Sequence, residues 1–126
     1  MMTTIQLASE RTIVAQTLIS ILTNVRETYL PDLGAADAYE LLLTGAHVLL
    51  AQTARRPATV SSISRAIGRP PATVEAHLDA LIKRGYVECV DSRYLMAAGF
   101  NAPHLRRSTR ANIRAIQVAA KHLTPG

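Results

Sequence analysis

The amino-acid sequence predicts a mainly α-helical fold with a small β-hairpin, and three observations predict it. Apolar residues recur at helical spacing over long stretches at both ends of the 126-residue chain. Residues 59–88 read as a short helix, a glycine turn, a second helix and the beginning of a strand. A second β-prone stretch then follows a two-residue turn. We therefore expect one domain, residues 1–126, in which a winged helix-turn-helix of residues 35–99 is bracketed by long terminal helices.

The terminal helices are expected to form a homodimer. The first runs over residues 4–30 and ends before Pro31, since proline breaks a helix interior. Its apolar residues follow spacings of three, four and seven, the pattern of a short coiled-coil seam. The last helix covers residues 103–123. The residues predicted to meet at the dimer seam are Val14, Leu18, Ile21, Val25, Ile113 and Ile116.

A further helix is predicted between the first helix and the central motif, from about residue 35 to residue 52. Asp32 or Asp37 can cap it, because their carboxylates accept hydrogen bonds from free backbone N–H groups. Its apolar stretch is interrupted by polar residues, which suits a buried core helix better than a membrane span. Thr59 and Val60 are expected to form a minimal strand after it.

The central helix-turn-helix follows from its apolar spacing and its turn residues. The first helix is expected over residues 62–67, with Ser61 as its cap. Gly68 lies where the chain turns sharply, in a conformation that glycine adopts freely. Pro71 then occupies the first position of the second helix, where its missing N–H costs nothing. The second helix is predicted to bury one stripe of apolar residues: Val74, Leu78, Leu81 and Ile82.

The opposite face of the second helix carries small or hydrogen-bonding residues, which suit insertion into a DNA major groove. Thr73 and His77, one turn apart, are the predicted base contacts, and the alternative for His77 is packing on a neighbouring helix. Basic residues around the motif are expected to bind phosphates. The predicted DNA-binding residues are Arg65, Arg69, Pro71, Ala72, Thr73, Ala76, His77, Lys83, Arg84 and Arg93. An ordinary helical hairpin is the alternative interpretation of the pattern.

A short wing is expected after the second helix. Two β-prone stretches lie within residues 86–96, and Asp91 and Ser92 form the turn between them. The wing is so short that Arg93 is its one side chain suited to contact a base. Cys89 has apolar neighbours in the first strand, so a buried and unreactive thiol is expected, with a redox sensor as the alternative.

The charge of the chain is unevenly distributed along the sequence. Residues 1–54 contain two Lys or Arg against five Asp or Glu, and residues 55–126 contain twelve against four. A basic half of this kind is typical of proteins that bind polyanions such as nucleic acid. Five of its cations lie on the last helix, where a solvated helix face and phosphate contact are about equally favoured: Arg106, Arg107, Arg110, Arg114 and Lys121.

Composition argues against several other classes of protein. One cysteine cannot form an intramolecular disulfide, and the first residues lack a basic leader, so a cytoplasmic protein is expected. No stretch of about 18 apolar residues is found, so no membrane span is predicted. The four histidines lack metal-ligand spacing, and neither a phosphate-binding glycine loop nor a nucleophile elbow is present. We expect no metal, no cofactor and no enzymatic activity.

The motif resembles two families of winged-helix regulators. Asp91-Ser92-Arg93 in the wing and the exit Leu95-Met96-Ala97-Ala98-Gly99 are similar to MarR-type bacterial transcriptional regulators, as is the bracketing by terminal helices. Residues 72–81 resemble the recognition helix of ArsR-type regulators. The resemblance implies a homodimer that binds double-stranded DNA, acts as a repressor and responds to a small-molecule effector that is unknown here. Ala76 and Ala80 stand where these families usually place Arg or Lys, which leaves a protein-interaction module as the alternative function.

Overall fold

The computed structural model describes the backbone of residues 4–123 and the side chains of residues 9–123. Within this range the chain forms two compact units. The helical unit contains the residues up to Pro31 and those from Pro103 onward, and the winged-helix unit spans Asp32–Ala102. The predicted fold class, mainly helical with a small β-hairpin wing, is confirmed.

The elements follow one another in an order close to the predicted one. They are α1 Thr4–Tyr29, α2 Ala35–Thr53, α3 Val60–Ile67, α4 Pro71–Lys83, β1 Val87–Val90, β2 Arg93–Met96, a 3-10 turn Ala98–Asn101, and α5 Pro103–Lys121.

The helical unit consists of α1 and α5 packed against each other in antiparallel orientation. Their contact includes a polar crossing: the Asn24 Nδ2 group donates hydrogen bonds to the Ser108 hydroxyl at 3.0 Å and to Asn112 Oδ1 at 2.8 Å. Ser108 is buried, so its hydroxyl needs such a partner. Amide and hydroxyl groups at this crossing fix the register of the two helices more tightly than aliphatic residues alone would.

The cap of α2 differs from the prediction. Neither Asp32 nor Asp37 caps the helix: Gly34 is the N-cap, and no side-chain hydrogen bond is made there. Asp37 lies in the first turn, where a carboxylate still favours the positive end of the helix dipole. The Asp32 carboxylate is instead engaged by Arg84, whose Nη2 lies 2.7 Å from Asp32 Oδ2.

The core of the winged-helix unit lies where α2, α3 and α4 meet. The predicted apolar stripe of α4 is buried at Val74, Leu78 and Leu81, whereas Ile82 is only half-buried. The residues that complete this core are Ala38, Leu41, Val48, Ala58, Ile63 and Val87. Thr44 is also fully buried in α2, and its hydroxyl donates to the Glu40 carbonyl at 2.9 Å.

Helix α3 begins two residues earlier than predicted and has a different cap. Thr59, not Ser61, is the N-cap: its hydroxyl accepts from the Ser62 N–H at 3.1 Å. The Ser62 hydroxyl in turn accepts from the Thr59 N–H at 2.9 Å, which completes a reciprocal capping box. Ser61 is exposed in the first turn. The error arose because serine and threonine cap equally well in principle, and three such residues stand close together.

The turn residues behave as predicted at two positions. Gly68 ends α3 with φ of 68° and ψ of 33°, in the left-handed region, and Pro71 occupies the first turn of α4. A second glycine, Gly99, is required for a different reason. A Cβ atom on Gly99 would lie 2.5 Å from the backbone carbonyl oxygen of Gly85, so any larger residue would push the wing exit away from the end of α4.

The wing is a two-stranded antiparallel hairpin with a two-residue turn. Asp91 and Ser92 have φ of 50° and 62°, the positive values of a type I′ turn, which matches the twist of the flanking strands. Gln52 of α2 fixes the wing, since its Oε1 accepts from the Met96 N–H at 2.7 Å. The predicted strand at Thr59 and Val60 is wrong, because the bridge to the wing forms one residue earlier, at Ala58.

The prediction for Cys89 is also wrong, because its thiol is exposed. In β1 only Val87 is buried, so the apolar neighbours of Cys89 along the chain do not shield it. Alternating strand residues point to opposite faces, but neither face of this short hairpin is covered at its tip.

The capping box gives a direct test of the α3 boundary. Thr59→Ala removes the side-chain acceptor for the Ser62 N–H, and we expect it to lower the free energy of unfolding by about 1 kcal/mol. Ser61→Ala is the matched control and should change it by well under half of that amount. Urea unfolding monitored by circular dichroism measures both. An equal loss in the two variants would contradict the assignment of the cap.

Candidate nucleic-acid interface

The orientation of α4 is fixed by the side that it buries. At 100° per residue, the side opposite Val74, Leu78 and Leu81 is centred between Ala76 and Lys83. The exposed residues of that side are Ala72, Ala76, Asp79 and Lys83, and Pro71 is exposed at the beginning of the helix. The face available to a DNA groove therefore combines two alanines with one carboxylate and one ammonium group.

The two predicted base contacts do not lie at the centre of this face. Thr73 is half-buried at its edge, about 60° from Ala76 around the helix. The side chain of His77 is only 19% exposed and turns toward α2. The prediction that His77 faces outward is therefore wrong. Its imidazole turns to the neighbouring helix α2, which was the alternative, and Nε2 lies there 3.0 Å from Glu40 Oε1.

Glu40 on α2 contacts the middle of α4 and the turn before that helix. Its Oε1 lies 3.0 Å from His77 Nε2 and 2.6 Å from Arg69 Nε. The His77 Nε2 atom is buried, and the described residues give it no further partner. The hydrogen-bonding contacts from His77 and then from Arg69 lower the pKa of the Glu40 carboxyl group. One carboxylate thus connects α2 to both the turn and the recognition helix.

Glu40 was not among the predicted site residues. Its signal in the sequence is a single carboxylate within the apolar stretch of α2, next to Leu41. A charged residue at the border of a buried helix face usually has a partner. The sequence could not identify that partner, because Arg69 and His77 follow about 30 residues later and are brought near only by the packing of α4.

The predicted phosphate-binding cations fall into two groups. Arg65, Lys83 and Arg93 are exposed, and none of them forms an ion pair with a described residue. Arg69 and Arg84 are engaged inside the winged-helix unit, by Glu40 and by Asp32. The Arg84 Nη1 atom also donates to the Ala80 carbonyl at 3.3 Å, so this side chain lies back along α4. The first three cations are free to meet phosphates without breaking an internal contact.

The wing carries, one residue pair from its tip, a tyrosine that stays protonated. Partial burial, and then the neighbouring Cys89 thiol, raise the pKa of the Tyr94 phenol. Cys89 and Tyr94 are cross-strand partners, and the Tyr94 N–H donates to the Ala58 carbonyl at 2.9 Å. The phenol is thus a hydrogen-bond donor over the whole physiological pH range, close to the exposed Arg93.

The two units differ in net charge. Dividing the sequence at residue 55 does not show this difference, because the winged-helix unit begins at Asp32. The winged-helix unit contains seven Lys or Arg and seven Asp or Glu, so its net charge is zero. The five cations beyond residue 102 belong to α5 of the helical unit. The charge of +8 in residues 55–126 therefore consists of +3 within the winged-helix unit, which residues 32–54 cancel with −3, and +5 on α5.

The described residues form neither a metal cluster nor a membrane-spanning helix. Within this range, His, Cys, Asp and Glu side chains do not come together in any group of three or more that could hold a metal ion. Of the helices described, none has both the length and the apolar character that crossing a membrane requires.

Comparison with known proteins places the winged-helix unit in a family. Residues 36–106, more than half of the chain, match the family model described as sugar-specific transcriptional regulator TrmB. The match supports a winged-helix regulator and does not single out the MarR type. Neither the comparison with curated proteins nor the comparison with solved structures found a match.

The Glu40 contacts predict a pH-dependent stability. A carboxyl group whose pKa is lowered in the folded state stabilises that state at every pH above its unfolded pKa, which is ordinarily 4.5 for this group. The stabilisation is lost as the pH falls through the lowered pKa of the folded state. Wild type should therefore be more stable than Glu40→Gln at pH 7, and the difference should shrink below about pH 4.5. Thermal unfolding between pH 7 and pH 3 measures it. A difference that stays constant over this range would contradict the role of the carboxylate, and Glu88→Gln, at an exposed position of β1, controls for loss of charge at pH 7.

Proposed function

We propose, from the premise that this chain belongs to the family of the sugar-specific transcriptional regulator TrmB, that it binds double-stranded DNA as a homodimer and acts as a repressor. The family is one of transcriptional regulators with a DNA-binding winged helix. The repressor role rests on the MarR-like arrangement of terminal helices around the motif. A regulator of this kind blocks transcription by occupying its site on the DNA.

The observation that carries this proposal is the uncovered face of α4. The three-helix core leaves Ala72, Ala76 and Lys83 exposed along one side of the helix. Small side chains allow the helix backbone to approach the floor of a major groove closely. Arg65 from α3 and Arg93 from the wing are exposed as well, and both are suited to contact phosphates.

Sequence readout by this face is expected to be weak. Asp79 can accept a hydrogen bond from the N4 amino group of cytosine, and the alanine methyl groups can contact thymine methyl groups. Thr73 can add a contact at the edge of the face. A carboxylate near the phosphates is unfavourable, and the outward face of α4 has no arginine for a bidentate contact with guanine. We therefore expect discrimination below the roughly 1–3 kcal/mol of a good bidentate pair at each base.

The homodimer is proposed from the exposed apolar side of the helical unit. Two helices alone cannot enclose a core, and four of the six predicted seam residues are about half exposed: Val14, Leu18, Ile113 and Ile116. They border or continue a groove of about 310 Å³ between α1 and α5, whose lining is almost wholly apolar. Covering a half-exposed aliphatic side chain stabilises an interface by about 1 kcal/mol. A second copy of the chain on this side would cover several such side chains.

A protein-interaction module remains the second candidate function. It is favoured by one observation, the zero net charge of the winged-helix unit, which gives this unit no general attraction to DNA. Salt dependence separates the two functions, because DNA binding weakens steeply with salt and contact with a protein through alanines does not.

We propose DNA binding for this chain, and not the sugar specificity that the family description also names. A sugar needs several hydrogen-bonding groups around it. The groove beside α2 and α3, of about 280 Å³, offers the polar side chains of His47 and Ser62 among apolar neighbours. This lining fits an apolar molecule better than a sugar.

A carboxylate placed at the proposed dimer seam should dissociate the dimer, whereas one placed elsewhere on α1 should not. Leu18→Asp places an unpaired carboxylate in the proposed interface, so we expect a monomer in sedimentation velocity at micromolar concentration. Ile19→Asp is the matched control. Ile19 is 65% exposed and is turned by about 100° from Leu18 on α1, so this variant should stay dimeric. A monomeric wild type, or dissociation of both variants alike, would contradict the proposed seam.

The exposed cations of the winged-helix unit predict a loss of non-specific affinity. Lys83→Ala and Arg93→Ala should each weaken binding to all duplexes alike and reduce the salt slope by about 0.9. Arg11→Ala removes the same charge from the exposed surface of α1 and serves as control. Fluorescence anisotropy with a mixed-sequence duplex at several salt concentrations measures these slopes. Unchanged slopes for Lys83→Ala and Arg93→Ala would place the DNA elsewhere.

A further inference from the structure

The whole net charge of the chain resides on one helix. The winged-helix unit is neutral, and α1 carries two arginines and two glutamates. Helix α5 carries five cations and no Asp or Glu, which accounts for the net charge of +5. A protein that binds a polyanion through a neutral unit alone would gain little from long-range attraction. The attraction therefore has to come from α5.

The five cations of α5 share one side of the helix. At 100° per residue they fall within an arc of about 100°, and all of them are exposed: Arg106, Arg107, Arg110, Arg114 and Lys121. Ser108 and Asn112, which bond to Asn24 of α1, lie on the opposite side. Packing against α1 thus turns the basic arc outward.

The spacing of these cations suits an extended row of anions. Arg106, Arg110 and Arg114 follow one another at intervals of four residues, a rise of about 6 Å for each step. With Lys121 the row extends over about 22 Å. None of the five forms an ion pair with a described residue, so no internal contact has to be broken for them to bind a ligand.

We propose that this basic arc of α5 is a second DNA-contact surface, one that binds phosphates without reading bases and supplies most of the salt-dependent affinity. The inference rests on the proposed DNA binding and assigns a different task to each unit. The winged-helix unit selects among sequences weakly, and α5 holds the duplex. Guanidinium groups suit this task because they bind phosphate oxygens through two parallel hydrogen bonds.

The geometry of α5 favours a duplex over a membrane as the polyanion. A helix that lies on a membrane inserts its apolar side between the lipids. The side of α5 opposite the basic arc is packed on α1. The apolar residues of α5 that stay exposed are Ile113 and Ile116, which belong to the proposed dimer face, and Val118. The proposed dimer leaves most of the arc free, since Ile113 lies about 100° and Ile116 about 160° from Arg114 around the helix. Arg106, at about 20° from Ile113, is the cation of the arc nearest to the dimer face.

The test compares two charge-neutralised variants on one duplex. The α5 variant carries Arg106→Gln, Arg107→Gln, Arg110→Gln and Arg114→Gln, and glutamine retains the helix propensity and most of the side-chain length. The winged-helix variant carries Arg65→Gln, Lys83→Gln and Arg93→Gln. Binding to a mixed-sequence duplex is measured by fluorescence anisotropy between about 50 and 200 mM salt. Circular dichroism and sedimentation velocity check that fold and assembly are retained. If the fourfold variant unfolds, Arg106→Gln with Arg110→Gln replaces it.

We expect the α5 variant to lose about 2 to 4 units of the salt slope, about 0.9 for each phosphate contact, and more than the winged-helix variant loses. The two-residue variant should lose about half as much. An unchanged slope in the α5 variant would overturn this inference, and the proposed function would stand if the winged-helix variant alone lost slope. A wild type that does not bind duplex DNA would overturn both.

A second experiment tests whether the arc binds an anionic membrane instead of DNA. Vesicles that contain phosphatidylglycerol replace the duplex in the same salt series. We expect weak binding that the α5 substitutions change little. Strong vesicle binding that disappears in the α5 variant, with DNA binding intact, would show that the arc recognises lipid phosphates and would overturn the assignment to DNA.

Discussion

The burial of one stripe of α4 determines the rest of this molecule. Val74, Leu78 and Leu81 are held in the core by α2 and α3, and this contact decides which residues of α4 face outward. Removing one buried leucine side chain costs about 2–5 kcal/mol, more than the roughly 0.5–1.5 kcal/mol of a typical hydrogen bond. The Glu40 contacts act on the middle of the same helix through His77 and on the turn before it through Arg69. Apolar packing sets the orientation of α4, and one carboxylate fixes the turn before it.

The sequence predicted the elements well because their signals are local. Gly68, Pro71 and the spacing of the α4 stripe each determine structure within a few residues. The errors arose where the outcome depends on a distant partner or on a choice between equivalent neighbours. Thr59 and Ser61 are equally good caps on sequence grounds, and the direction of His77 depends on Glu40, which lies 37 positions earlier. The roles in DNA binding of the residues that face outward are still predictions.

The distribution of charge separates two tasks that a single interface usually performs. The recognition helix presents alanines and Asp79 to a groove. This surface attracts DNA only weakly, but its small side chains fit into a groove without clashes. Attraction depends on the number of cations and not on their exact partners, so it can be supplied by a helix outside the motif. Such a protein would associate with DNA through α5 and test sequences through α4. In the proposed dimer, a second copy of the reading helix would compensate for weak discrimination at each base.

The most direct measurement uses the one cysteine of the chain. The Cys89 thiol is exposed in the wing, so an iron chelate attached there would cut DNA close to β1. The account predicts cleavage of a bound duplex by the labelled wild type and none by Cys89→Ser treated in the same way. Binding seen by anisotropy without any cleavage would show that the wing lies away from the DNA, and it would contradict the assignment of the winged-helix unit as the reading surface.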